Sequence, residues 1–185
     1  MVHQKVKTRY ITWSMLHESL KNLAEKISSE YTADTIIAIA KGGLIPARIL
    51  VDLLGVDEMG FIEVKFYRGI AETREKPYVT FTALPQLDNK RIIIVDDIVD
   101  SGRTLQVVAD VLSRFKYRDM KFATLYVKPW STIMPDYYSE IVDEWIIFPW
   151  EICESIRENA ELKGVDVEGI LDYCKKKHGF PESLS

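Results

Sequence analysis

Apolar positions along the chain fall in short blocks separated by polar turns. From Thr12 onward, Met15, Leu16, Leu20, Leu23, Ala24 and Ile27 recur at helical spacing on one face, with Thr12 placed to cap the helix. TIIAIA, Thr35 to Ala40, is a continuous apolar run ended by KGG, which predicts a strand buried on both faces. Ile45 to Leu54 reads as a helix closed by Gly55. Gly60 to Tyr67 reads as a strand, and Tyr78 to Ala83 alternates as a return strand. Between them, Arg68 to Pro77 (RGIAETREKP) is polar and charged and predicts a mobile loop. Arg91 to Val95 is the next buried strand, Thr104 to Phe115 a helix, Lys121 to Val127 a strand and Trp145 to Phe148 a short strand. Glu151 to Ser185 reads as two short helices with a polar tail. Apolar strands alternating with helices predict an α/β fold, a mostly parallel central sheet flanked by helices.

Composition narrows the class further. A chain of 185 residues fits one domain with a sizeable core. Its formal net charge of -4 marks no whole surface for nucleic acid or an anionic membrane, so neither is an expected partner. Cys153 and Cys174 lie far in sequence from His3 and His17, and Cys174 with His178 is a pair short of a metal-ligand set. They read as reduced structural thiols. The N-terminus, MVHQKVKTRYITW, lacks the apolar core of a signal peptide, and no apolar run approaches the roughly 20 residues that span a bilayer. The expected location is the cytoplasm.

Candidate chemistry concentrates in RIIIVDDIVDSGRTL, Arg91 to Leu105. In an open α/β sheet, ligands sit beyond the carboxyl ends of the strands, where Asp96 and Asp97 stand. Two adjacent carboxylates there can accept hydrogen bonds from sugar hydroxyls or orient a hydrated divalent cation. Asp100-Ser101-Gly102-Arg103-Thr104 then opens a helix, whose amino-terminal N–H groups and hydroxyls suit a phosphate. Gly102 permits the tight turn and close backbone approach. A ligand with both features is a ribose 5-phosphate group. AKGGL, Ala40 to Leu44, offers a second anion nest with Lys41 as a movable donor, although no Walker motif is present. Two such nests suggest phosphate at one end of the ligand and pyrophosphate at the other. A receiver domain also pairs two acids at a strand end. There, however, the pair closes the first strand and a phosphoacceptor Asp follows on a later one, which this chain does not offer.

The stretch VDDIVDSGRT, Val95 to Thr104, resembles the diphosphate-sugar motif of the type I phosphoribosyltransferases at every position. The likeness covers Tyr10 to Glu151 and sharpens to the 6-oxopurine branch, the xanthine–guanine and archaeal hypoxanthine–guanine group. AIAKGGLIPARIL resembles its pyrophosphate loop, and YVKPW and EWIIFPWE resemble its base-binding segments. The resemblance implies that fold, with a phosphoribosyltransferase domain over residues 1–151 that includes a small base-binding hood. It leaves residues 152–185 as a helical C-terminal extension of unassigned role. It implies transfer of a 5-phosphoribosyl group from phosphoribosyl pyrophosphate to hypoxanthine, guanine or xanthine in purine salvage, with Mg²⁺ as cofactor and a homodimer or homotetramer as the assembly. By the same resemblance, Asp96 and Asp97 hold the ribose hydroxyls and Mg²⁺, the latter through water. Asp100 accepts the proton at purine N7, and Ser101, Gly102, Arg103 and Thr104 wrap the 5-phosphate. Ala40, Lys41, Gly42 and Arg74 take the pyrophosphate, with the Ala40–Lys41 peptide cis. Lys128 donates to the oxygen at purine C6, Trp145 stacks on the base, and the Ile146 backbone meets its far edge. The chain departs from the group's pattern at Lys65-Phe66-Tyr67, where related enzymes often carry Ser/Thr-x-Tyr, and at Glu151, often Asp. Two alternatives stay open: adenine as the base, and a non-catalytic regulator that senses phosphoribosyl pyrophosphate. By residue type alone, Trp145, Phe148 and Trp150 read equally as core aromatics, and Lys128 as a snorkelling surface lysine.

Overall fold

The computed structural model describes residues 7–67 and 76–155. Its elements run β1 (Thr8–Tyr10), α1 (Trp13–Glu30), β2 (Thr35–Ala40), α2 (Leu44–Leu54), β3 (Glu58–Tyr67), β4 (Lys76–Ala83), β5 (Arg91–Val99), α3 (Arg103–Leu112), β6 (Asp119–Val127), β7 (Tyr137–Ile141) and β8 (Trp145–Ile147). The predicted α/β class holds. The chain divides into two compact units, residues 17–143 and a smaller unit of residues 1–16 with 144–185.

The larger unit is built on a six-stranded sheet in the order β4-β3-β2-β5-β6-β7. Every neighbouring pair is parallel except β3 with β4, which close as an antiparallel hairpin. From β2 the chain winds outward through β3, and from β5 it winds the other way through β6. The order therefore reverses between β2 and β5, the topological switch point where open α/β sheets bind ligands. These two strands are paired only from Thr35–Ile92 to Ala38–Val95. Beyond Val95 their carboxyl ends part.

The central strands are apolar at successive positions because both faces are covered. Ile37, Ile39, Ile92 and Ile94 form one cluster with Leu105, Val108 and Leu112 of α3. Ile36 and Ile93, on alternate positions, face the other way and are also fully buried. Helix α2 lies against β2, β3 and β5, with Pro46, Ala47 and Leu50 turned inward. Gly55 closes α2 in the left-handed conformation at φ 65°, as its position predicted.

Several boundaries differ from the sequence reading. Strand β5 does not stop at Val95 but continues through the acids to Val99, because Asp96, Ile98 and Val99 keep their register with Thr124, Tyr126 and Val127 of β6. Helix α3 ends at Leu112 rather than Phe115, with Ser113 donating its N–H to the Ala109 carbonyl. Strand β7 was not predicted. It is a sheet edge, mostly exposed, and YYSEI carries no apolar run. Of the predicted loop 68–77, Lys76 and Pro77 belong to β4, and the rest lies outside the described residues, as does the extension beyond Ser155.

In the smaller unit, β1 and β8 form a two-stranded parallel sheet with Thr8, Arg9 and Tyr10 opposite Trp145, Ile146 and Ile147. The Met15 N–H donates to Thr12 Oγ1 at 3.2 Å, the predicted cap of α1.

Candidate active site

Asp96 and Asp97 sit on the part of β5 that has left β2. Both are buried, at 8% exposure each. Their carboxylates fold back on the main chain: Asp96 Oδ1 accepts the Asp97 N–H at 3.0 Å, and Asp97 Oδ1 accepts the Ile98 N–H at 2.7 Å. Burial, and then the neighbouring Asp97 charge, hold the Asp96 carboxyl well above the usual aspartate range; burial raises Asp97 as well. Two buried like charges oppose the fold unless something cationic or hydrogen-bond-donating joins them. A pair so placed is therefore a candidate for a site rather than for structure.

The loop after β2 lies directly against this pair. A Cβ built on Gly42 would fall on the Asp97 carboxylate, and one on Gly43 would meet the Val95 and Ile39 carbonyls and, at 3.1 Å, Asp96 Cα. KGG is thus read sterically: only glycine backbone lets the β2 loop pass so close to the end of β5. The Ala40–Lys41 peptide is cis, as the family resemblance implied. Ala40 and Gly42 are half-buried, and Lys41 is exposed.

After Val99 the chain turns through Asp100, Ser101 and Gly102 into α3. Gly102 takes φ 83° at the N-cap, and a Cβ there would stand 2.9 Å from Ile133 N and Cβ. The N-cap residues of α2 and α3 are glycines without a capping side chain. The Leu44 N–H turns back to the Lys41 carbonyl at 3.2 Å and the Arg103 N–H to Ser101 Oγ at 3.5 Å, and both helices direct the positive ends of their dipoles to these loops. A cleft of about 340 Å³ opens here, lined by Asp96, Asp100, Ser101, Gly102 and Thr104, with Phe66 of β3 at its wall. Arg103 is exposed at the head of α3. Among the described residues no group of three or more His, Cys, Asp or Glu side chains could hold a metal ion.

Lys128 follows β6 with 6% exposure, and its N–H donates to the Val99 carbonyl at 2.8 Å. It is a buried lysine just past the end of the strand next to the acids, not a snorkelling surface one. Asp100 Oδ1 accepts a hydrogen bond from Trp130 Nε1 at 2.7 Å, a partner the sequence reading missed. Nothing in YVKPW distinguishes that tryptophan from a core aromatic.

Trp145 and Ile146 belong to the smaller unit. Trp145 is 54% exposed, so it is not a core aromatic. The Trp145 N–H donates to the Lys7 carbonyl at 2.8 Å and the Ile11 N–H to the Ile147 carbonyl at 3.0 Å. In parallel pairing such bonds come from alternate residues, so the Ile146 main-chain groups face away from β1. Phe148 is buried and stacks on Trp150 with centroids 4.7 Å apart, and Trp13 stands 6.1 Å from Trp150. Those aromatics are packing. Glu151 Oε1 accepts the Phe148 N–H at 3.0 Å and so closes this turn. Arg74 lies outside the described residues.

The structure thus brings Asp96, Asp97, Asp100, the Ser101–Thr104 turn, the Ala40–Gly42 loop and Lys128 to the carboxyl ends of β2, β5 and β6. Fold and loops together define an α/β protein whose strand ends are shaped for a phosphorylated ligand. Residues 12–156 match the model of the phosphoribosyl transferase domain. A xanthine-guanine phosphoribosyltransferase of Gluconobacter oxydans is 34% identical over 151 residues, covering 80% of this chain and 87% of that protein. One from Cereibacter sphaeroides is 33% identical over 152 residues, covering 78% and 87%. Among solved structures, a purine phosphoribosyltransferase from Pyrococcus horikoshii superposes with a TM-score of 0.71 at 42% identity, covering 78% of this chain and 93% of that one. The chain belongs to the phosphoribosyl transferase domain family.

Proposed function

We propose that the protein is a purine phosphoribosyltransferase of the 6-oxopurine type. It transfers 5-phosphoribosyl from phosphoribosyl pyrophosphate to hypoxanthine, guanine or xanthine, giving the nucleoside 5′-monophosphate and pyrophosphate. The observation that carries this reading is the passage of the Gly42 backbone over the Asp97 carboxylate. It sets two anion loops on either side of one acid pair, as a sugar phosphorylated at both ends requires.

In this reading Asp96 and Asp97 accept the ribose hydroxyls, and Ser101, Gly102, Arg103 and Thr104 surround the 5-phosphate. Ala40, Lys41 and Gly42 receive the pyrophosphate, joined by Arg74. The acid pair also fits Mg²⁺. A buried pair with no third protein ligand among the described residues suits an ion that keeps waters and takes substrate oxygens rather than a closed protein cage. Mg²⁺ bound there would help neutralise the charge of the departing pyrophosphate. The loop N–H groups add fixed donors, and Lys41 a movable one, where that charge develops. As the anomeric C–O bond breaks, the sugar takes on oxocarbenium character. The purine nitrogen closes the new C–N bond, and Asp100 accepts the proton from N7. Lys128 donates to the C6 oxygen. Adenine would set an amino donor against that donor, and an unpaired buried polar group discriminates strongly. Trp145 and the Ile146 main chain serve the base face and far edge. A cytoplasmic location, the expectation from the sequence, and a homodimer or homotetramer, which rests on the family resemblance, complete the reading.

The test is pyrophosphate release with hypoxanthine, guanine, xanthine and adenine, each with and without Mg²⁺. Release with one or more 6-oxopurines and little with adenine is the expected pattern. Release with adenine alone would transfer the reading to an adenine enzyme, and no release with any base would point to a sensor of phosphoribosyl pyrophosphate.

A further inference from the structure

Trp130 is 56% exposed, yet it joins two of the residues just discussed. Its Nε1–H donates to Asp100 Oδ1 at 2.7 Å, and Lys128 Nζ stands 5.4 Å from its ring centroid. The loop that carries it is pinned to the phosphate turn. The Thr132 hydroxyl donates to the Ser101 carbonyl at 2.8 Å, and the Thr132 N–H approaches the same oxygen at 3.3 Å. The Ser131 N–H donates to the Lys128 carbonyl at 3.0 Å, and its hydroxyl to the Ile133 carbonyl at 2.7 Å. Ile133 in turn packs where a Cβ on Gly102 would have to go. An exposed indole held on so fixed a loop is well placed to hold other groups still.

The chemistry of the base makes that useful. In a 6-oxopurine, O6 and N7 lie side by side on one edge. A donor for O6 and an acceptor for N7 must therefore be kept at one spacing. Asp100 is exposed at a strand end, where its carboxylate would otherwise sample several rotamers. The indole N–H engages Oδ1 and leaves Oδ2 to the base. The ring face offers Lys128 a cation–π contact that orients its ammonium beside the same edge.

We propose that Trp130 is a positioning and specificity-determining residue that holds Asp100 and Lys128 as a matched pair for the O6/N7 edge of the base. The inference rests on the roles given to Asp100 and Lys128 above. The test compares Trp130→Phe, Trp130→Ala, Asp100→Ala and the Trp130→Phe/Asp100→Ala double variant by steady-state kinetics. Trp130→Phe keeps a ring and loses the donor. Its kcat with guanine or hypoxanthine is expected to fall by about tenfold to 100-fold, the worth of one hydrogen bond to a charged group, with KM for phosphoribosyl pyrophosphate unchanged within about twofold. In the Asp100→Ala background the same change is expected to cost nothing more, since the group it acts on is gone. Trp130→Ala is further expected to lower the preference for 6-oxopurines over adenine, which Trp130→Phe retains. Wild-type kcat in Trp130→Phe, an equal loss in both backgrounds, or an unchanged base preference in Trp130→Ala would overturn the inference. If Asp100→Ala loses turnover while Trp130→Phe does not, the inference about Trp130 fails alone. If Asp100→Ala keeps turnover, the role of Asp100 fails and Trp130 has nothing to act through.

Discussion

Gly42→Ala puts the central contact of the site to a direct test. The added methyl would lie on the Asp97 carboxylate. Two adjustments can relieve the overlap. The carboxylate can swing away, but its Oδ1 holds the Ile98 N–H at 2.7 Å, and a hydrogen bond to a charged group is worth about 1.5–3 kcal/mol. Alternatively the loop can lift, and overpacking of this kind typically costs about 1–3 kcal/mol. Lifting is opposed by the Gly43 N–H, which donates to the Ile39 carbonyl at 2.9 Å and ties the loop to the end of β2. Either route costs about 1–3 kcal/mol, and for a chain of this size Tm should fall by roughly 3–10 °C. The functional loss should be larger in proportion. Either adjustment displaces a group proposed to meet phosphoribosyl pyrophosphate, and a displacement near 1 Å can cost about 100-fold in rate. Gly55→Ala is the control. Gly55 has φ 65° and open space around its Cβ position, so the change costs about 1 kcal/mol of backbone strain far from the acids. Calorimetry and pyrophosphate release on both variants give the comparison. Gly42→Ala with wild-type KM and kcat would refute the close approach of the two loops as a feature of the working site.

Three further outcomes follow from the same geometry. Asp96→Asn replaces a carboxyl whose charged form is disfavoured by burial and by Asp97 in the native state, so at neutral pH it is expected to raise the Tm of the ligand-free protein while abolishing phosphoribosyl pyrophosphate binding. Scanning calorimetry and isothermal titration check the two halves. The raised Asp96 carboxyl means that the native state takes up its proton above the ordinary aspartate range, so the gain in Tm should shrink as pH falls toward that range. Lys128→Ala is expected to reduce the rate ratio of 6-oxopurine to adenine by about tenfold or more, measured by paired initial rates. Chelation of divalent ions is expected to stop pyrophosphate release and added Mg²⁺ to restore it, whereas the Tm of the ligand-free protein should move little, because two protein carboxylates alone hold such an ion weakly.

How far the chain could be read before folding depended on whether a feature was local. The helix N-cap at Thr12, the closure at Gly55 and the two central strands are written in adjacent residues, and they were legible. Strand β5 was read four residues short because Asp96 and Asp97 look like a strand end in sequence. Only the register with β6 keeps the backbone extended past them. Strands β1 and β7 are a short strand and an edge, whose half-exposed residues give no apolar signal. For the candidate site, the motifs named the acid pair and the two glycine loops that the structure brings together, since steric and hydrogen-bonding demands there fall on consecutive positions. They could not name Trp130. Its bond to Asp100 joins residues 30 apart in sequence, on loops that follow different strands.

That distinction explains why the site is assembled as it is. Each anion loop is a local device, a strand end, a glycine and a helix N-terminus, and either could occur alone in many α/β proteins. What makes them one site is the reversal of strand order between β2 and β5, which opens space at that position and turns the two loops toward each other. Asp97 then sets their separation, because its carboxylate fills the place that any side chain at Gly42 would need. The acid pair thus has two consequences that cannot be varied independently. In the proposed reading it presents carboxylates to the ligand, and it fixes the distance between the two phosphate ends. A substitution that relieves the buried charge without changing shape, such as Asp97→Asn, should keep that distance while losing the charge. A substitution that changes shape at Gly42 should keep the charge and lose the distance. Similar loss of phosphoribosyl pyrophosphate binding in both variants, with opposite shifts in Tm, is the signature of a single acid pair serving both purposes.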